Sequence, residues 1–232
     1  SAVSNISSNI ANSQTSGYKR LDTDFEDLVL QSGTTSWTTG GVRALTQATT
    51  QVQGNITQSE NPLALALSGR GFFSVARPTS ESDDGTLTFQ SQVAYTRAGD
   101  FTLNRGGYLV NSSGFALRGW AANADGVVDT GAELTPIVVS RAASPAPDES
   151  PFSFVSFAEN GDIEANYQNG TRQVIGRVPV ITFANSDALE RLDGQAFTVT
   201  RASGEATTAS PSSAGAGRFV IGAVEGSNVD IA

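Results

Sequence analysis

The sequence contains no cysteine and no histidine. The first absence removes disulfides, thiolate nucleophiles and cysteine-ligated metals. The second removes Ser-His-Asp and Cys-His catalysis and the usual zinc sites. No apolar run approaches the ~18 residues of a membrane-spanning helix, and no basic, then apolar, then small-residue leader opens the chain. Charge is sparse: Asp, Glu, Lys and Arg make up 16% of the 232 residues. The balance of 23 acidic and 14 basic residues gives a net charge of −9, and the only adjacent basic pair is Lys19-Arg20. Phosphate neutralisation needs clustered Lys and Arg, so this balance argues against nucleic acid as a partner. The acidity reads as solubility.

What is there is polar without being ionic. Hydrophobic residues make up a modest 38%, and Gly, Ser, Thr, Asn, Gln and Ala fill the difference. That profile suits a β-rich extracellular or surface protein.

Val3, Ile6 and Ile10 are spaced by three and four and stack on one face of a helix over residues 1–12. Ser and Asn on its other faces are poor helix formers, so this helix needs a partner. It stops near Ser16-Gly17, where glycine can take the left-handed cap conformation. Phe25, Leu28 and Val29 could continue a short helix. Residues 33–41 read as a flexible or extended connector. Residues 42–218 read as a β domain. Leu63, Leu65 and Leu67 alternate with small residues, and Gly69-Arg70-Gly71 is a tight turn before the strand at Phe72. Hairpin turns are expected at Asn104–Gly107, Asn111–Gly114, Glu159–Asp162 and Gln168–Gly170. Residues 78–86 and 203–217 read as loops, and Asp187–Leu192 as a helical turn. Three prolines within residues 142–151 mark a seam, the expected insertion point of a further domain that is here missing or very short. In residues 219–232 a return strand leads to Ser227-Asn228-Val229-Asp230, which fits a capping box with Ser227 as N-cap and Asp230 three residues on. A helix begun there and cut off in its first turn is expected of a longer parent sequence.

The sequence offers weak material for catalysis. Asp83, Asp84, Asp162 and Glu164 could serve a carboxylate-dependent glycosidase, but Asp83 and Asp84 sit in a Ser/Gly loop and Asp162 beside a hairpin turn, where Asp is expected for backbone reasons, and a glycosidase needs a cleft with two opposed carboxylates. Asp125 and Asp129 do not continue into a calcium loop. The residues after Gly69-Arg70-Gly71 do not form a phosphate loop. No cofactor or metal site is expected. Trp37 and Trp120 could be ligand platforms of an adhesin or phage-tail module, but core or subunit contacts are the commoner use.

Four groups of residues resemble one family. They are Asn9-Ile10-Ala11-Asn12 with Gly17-Tyr18-Lys19; Gln53-Gly54-Asn55-Ile56 running through Asn61-Pro62-Leu63 to Gly69-Arg70-Gly71-Phe72-Phe73; Tyr95-Thr96-Arg97-Ala98-Gly99-Asp100-Phe101 with Gly107-Tyr108-Leu109-Val110; and Gly222-Ala223-Val224-Glu225 with Ser227-Asn228-Val229-Asp230. In this order they resemble the bacterial flagellar rod and hook proteins. Leu117-Arg118-Gly119-Trp120 and Ala165-Asn166-Tyr167-Gln168-Asn169-Gly170 look most like hook protein, with the distal rod as the alternative.

The resemblance implies a mainly β fold, an antiparallel sandwich or barrel-like domain flanked by N- and C-terminal helical segments paired as a coiled coil. Residues 1–32 would then be the N-terminal helix and extension of the axial core. The implied function is a homopolymeric universal joint that transmits torque, or a straight drive shaft in the rod alternative. Implied partners are other copies of the chain, the rod, the hook cap, the hook–filament junction proteins and the type III export apparatus, outside the cell at the hook and basal body. Implied assembly residues are Val3, Ile6, Asn9, Ile10, Asn12, Gly17, Tyr18, Lys19, Ser227, Asn228, Val229 and Asp230.

Overall fold

A computed structural model describes residues 2–32, 36–144, 149–213 and 215–230; side chains at 24 and 26–45 lie outside the description. The chain is mainly β and its sheets are antiparallel. Among the described residues there is one α-helix, Ala2–Ala11, and one 3-10 turn, Ser186–Ala188. None of the helices is long and apolar enough to cross a membrane.

The largest sheet has eleven strands. Its main path runs Phe152–Phe157, Asp162–Tyr167, Arg172–Arg177, Ala116–Ala121, Phe73–Glu81, Leu87–Thr96, Ala196–Thr198, Glu190–Leu192. The turns that join it are those the sequence signals. Gly107 donates to Asn104, Gly114 to Asn111, Gly161 to Ala158 and Gly170 to Tyr167, all through backbone bonds. Side chains of successive residues point to opposite faces of a strand. Phe73 and Val75 therefore enter one apolar cluster with Leu65, Leu67, Phe101, Leu117 and Phe219. Phe72 enters a second with Tyr95, Phe183 and Phe197. A strand buried on both faces explains why Ala64 and Ala66 are as buried as Leu65 and Leu67.

Several expectations are not met among the described residues. Phe25, Leu28 and Val29 lie on a strand, not a helix: Leu21–Ser32 pairs along its length with Ser36–Ala48. β-Branched and threonine-rich partners across the hairpin decide this, and such long-range pairing overrides local helical spacing. The polar run at 78–86 is strand as far as Glu81, and Thr207–Ala209 in the low-complexity segment pairs with Val180–Thr182. The C-terminal helix and the coiled coil are not found among the described residues. Ser227 Oγ accepts the Val229 N–H at 3.2 Å, but the backbone N–H groups of Gly226 and Asn228 go to Asn55 and Tyr18, so this segment is tied down in an irregular form. Residues 36–41 of the expected connector are strand; 33–35 lie outside the described residues. At the proline-rich seam, 145–148 also lie outside them, and its flanks are joined: Ser144 N–H to Ser150 O, and Ser150 N–H to Ser144 Oγ, both 2.8 Å.

Candidate functional site

The four sequence groups, far apart in the chain, meet at one place. The helix ends in turns that lead to Gly17, whose φ of +69° favours glycine. The Gly17 N–H donates to Glu225 O at 2.7 Å, and a Cβ at residue 17 would lie 2.4 Å from the Ala98 nitrogen. Gly54 is equally confined, since a Cβ there would lie 2.1 Å from Gly226 O. The strand Ile56–Gln58 pairs with Ala223–Glu225, and Leu65–Ser68 with Arg218–Ile221. The C-terminal segment is thus paired with residues 56–68, and the N-terminal segment joins it through Gly17.

Glu225 is the hub of this junction. It is fully buried, as is Lys19, and Arg97 is only 3% exposed. Lys19 Nζ reaches Glu225 Oε1 at 2.6 Å, and Arg97 Nε reaches Oε2 at 2.6 Å. The Gly54 N–H also donates to Oε1, at 3.0 Å. Both cations also donate to backbone carbonyls. Lys19 donates to Val52 O, and Arg97 to the carbonyls of Leu67, Gly69 and Gly71. Arg97 thereby fastens the Gly69–Gly71 bend that leads into the strand at Phe73. Burial pushes the Lys19 ammonium below the ordinary lysine value, against the opposing pull of Glu225. A buried charge without a partner is very costly, so each member of the cluster fixes the others.

Around the charges lies a shell of amides and one buried tyrosine. Asn228 Nδ2 donates to Thr49 O and Val52 O, both at 2.9 Å, and its Oδ1 accepts the Arg20 N–H at 2.6 Å. Asp187 accepts from Thr50 N and Oγ1 and from Gln51 Nε2. Tyr18 is fully buried; its hydroxyl donates to Asn9 Oδ1 at 3.1 Å, and the Arg191 guanidinium lies 4.6 Å from its ring centroid. A cavity beside the junction, bounded by Thr50, Gly69, Gly71, Phe72 and Arg97, measures about 30 Å³. That volume admits water and no substrate.

Of the residues named from the sequence, Asn9, Gly17, Tyr18, Lys19, Ser227, Asn228 and Val229 belong to this junction or its immediate edge. Asn12 caps the last helical turn by donating to Ser8 O. Val3, Ile6 and Ile10 are apart from it, exposed by 72%, 58% and 57%. Asp230 follows the junction at the described end of the chain. Sequence reasoning quoted Glu225 and Arg97 only as parts of a resemblance, and missed Asn5 and Asp187. A charged residue closing an otherwise apolar strand, as Glu225 does after Ala223 and Val224, is the available signal for a buried pair.

The other candidates resolve into structure. Asp162 pairs with Arg177 and accepts from Asn160, and Glu164 faces Arg172 at 3.7 Å. Asp84 Oδ1 accepts the Thr86 N–H, which holds its carboxyl below the usual range. Among the described residues no group of three potential metal-ligating side chains forms. Trp120 is buried with its Nε1 donating to Ala132 O at 3.1 Å, a core anchor; the Trp37 side chain lies outside the described residues.

A β body whose two chain ends are clasped by a buried polar junction, with an apolar helical stripe facing outward, defines a structural building block. The family described as flagellar hook protein FlgE/F/G D1 domain matches residues 66–165. The flagellar basal-body rod protein FlgG of Buchnera aphidicola subsp. Acyrthosiphon pisum is 31% identical over 242 residues, covering 98% of this chain and 79% of that protein. The flagellar hook protein FlgE of Rhizobium meliloti is 30% identical over 234 residues, covering 90% of this chain and 50% of the relative. That of Caulobacter vibrioides is 38% identical over 124 residues, covering 53% and 20%. The chain belongs to the flagellar rod and hook protein family. It is a structural protein of the flagellar axis and not an enzyme.

Proposed function

We propose that this chain is a subunit of the flagellar hook, polymerising into a curved tube that transmits motor torque outside the cell. The observation that carries polymerisation is the outward stripe of Val3, Ile6 and Ile10 on a helix anchored to the body by Asn5 and Asn9. An exposed apolar face on an anchored helix is the ready half of a helix–helix contact. The other half is a C-terminal or neighbouring helix, and the helix pair lies in the axial core with the β body as the outer wall. Copies of this chain, rod, cap and junction proteins and the type III export apparatus are the partners of this reading. The implied assembly residues then divide into two roles. Val3, Ile6 and Ile10 make the contact, and Asn9, Asn12, Gly17, Tyr18, Lys19 and Ser227–Asp230 hold the chain ends that present it. The paucity of charge suits sliding contacts made of many replaceable hydrogen bonds.

The hook reading draws on one hook relative that is 38% identical over 124 residues; over nine-tenths or more of this chain, hook and rod relatives are alike at 30% and 31%. A second reading, the straight distal rod, is favoured by the seam. Ser144 and Ser150 are bonded to each other across a short excursion, and rod relatives are matched over most of their length. Negative-stain microscopy of the full-length protein under polymerising conditions decides: curved tubes support the hook, straight tubes the rod. A protein that stays monomeric with both termini complete contradicts both.

A further inference from the structure

The helix Ala2–Ala11 sits on its own body by an unusual face. Helices of globular proteins turn their apolar stripe inward; this one turns inward its asparagines. Asn5 is 8% exposed, and its Nδ2 donates to Thr23 Oγ1 at 2.8 Å and to Thr46 Oγ1 at 3.0 Å. Thr23 and Thr46 are cross-strand partners in the long hairpin, so one carboxamide bridges both strands. Asn9 lies four residues on, on the same face. Its Oδ1 accepts the Leu21 N–H and its Nδ2 donates to Leu21 O, both at 2.9 Å. The carboxamide stands in for a peptide group and pairs with the first residue of the strand as a neighbouring strand would. Asn9 Oδ1 also takes the Tyr18 hydroxyl, which ties the clamp to the junction.

These contacts settle the rotation of the helix about its axis. At 3.6 residues per turn, the Val3–Ile6–Ile10 stripe lies about 110° around from the Asn5–Asn9 face. An apolar helix on an apolar base could roll to bury its stripe. Directional amide bonds cannot be satisfied after such a roll, and unpaired buried amides oppose it. We propose that Asn5 and Asn9 are positioning residues that fix which face of the N-terminal helix is offered for assembly. They hold Val3, Ile6 and Ile10 outward in the unassembled subunit, ready for an apolar helix. This rests on the reading that the stripe is an assembly face.

The chain has no cysteine, so a single introduced thiol reports its own position. Ile6→Cys and Ser8→Cys are placed separately in the full-length protein, labelled below its polymerising concentration, with Asn5 and Asn9 intact and again with Asn5→Ala and Asn9→Ala. With both asparagines present, the exposed position 6 labels several-fold faster than half-buried position 8. Without them the contrast vanishes. In the cysteine-free protein, the same double replacement raises the concentration needed for polymerisation about tenfold or more, the scale expected for losing several directional bonds, while hydrogen-exchange protection of Val75 and Leu117 in the sheet core is unchanged. A labelling contrast that survives the double replacement overturns the proposal, whatever happens to polymerisation. So does wild-type polymerisation by a double variant that has lost the contrast. If the unaltered protein never polymerises, the assembly reading fails; the labelling contrast still tests the clamp independently.

Discussion

The β body and the junction of the chain ends are built from opposite materials. The body is held by apolar side chains: Leu65, Phe73, Phe101, Leu109 and Leu117 are all fully buried in one cluster. The junction is equally buried, yet its centre is Lys19, Glu225 and Arg97, ringed by Asn9, Asn228 and backbone carbonyls. An apolar core tolerates swaps that preserve volume. A junction of paired charges and directional amides tolerates almost none, because a lost partner leaves a buried group unsatisfied. At the junction, Gly17, Lys19, Gly54, Arg97 and Glu225 each have one geometry that works.

The sharpest way to break the comparison is to remove the hub. Glu225→Ala leaves two buried cations without their carboxylate and should cost about 3–5 kcal/mol, read as a urea midpoint shift. Its signature is the loss of protection in residues 16–20 and 53–55 ahead of the body. Leu117→Ala in the fully buried core should cost about 2–5 kcal/mol, with protection falling evenly through the sheet. If the two variants unfold by the same pattern, the junction is not a separate unit. Asn228→Ala, which removes three hydrogen bonds at the edge of the junction, should cost about 1–3 kcal/mol. Leucine at the same position should rescue nothing, because shape is not what the amide supplies.

The smallest effect belongs to the body. Burial pushes the Tyr95 phenol above its ordinary value of 10.0. The folded state then keeps its proton where the unfolded state has lost it. Tyr95 accordingly contributes stability that is complete below pH 10 and declines as pH rises through the raised folded value. Tyr95→Phe removes that alkaline loss, so the stability difference between the variants should shift in favour of phenylalanine above pH 10. A difference independent of pH contradicts it.

The same contrast explains what could be read from the sequence. The body was legible because its signals are local. The turns at 104–107, 111–114, 159–162 and 168–170 announce themselves by Asn and Gly, and the period of two in Leu65–Leu67 follows the pleat. The hairpin of Leu21–Ser32 with Ser36–Ala48 was not legible, since pairing across the chain decided it against helical spacing at Phe25, Leu28 and Val29. The junction was legible only as a resemblance. Lys19, Arg97 and Glu225 are separated by up to 206 positions, and no periodicity links them. Likewise, Val3, Ile6 and Ile10 were correctly placed on one helical face. That the face would point outward depends on Asn5 and Asn9 finding Thr23, Thr46 and Leu21, which no local pattern encodes.

The most direct test is native-state hydrogen exchange at the amides of Gly17 and Gly54, one donating to the Glu225 carbonyl and the other to its carboxylate. The account predicts exchange nearly as slow as that of Val75 and Leu117 in the sheet core, and a large acceleration at both glycines, with the sheet core still protected, in Glu225→Ala. Rapid exchange at both glycines in the unaltered protein, as in a frayed chain end, would contradict it.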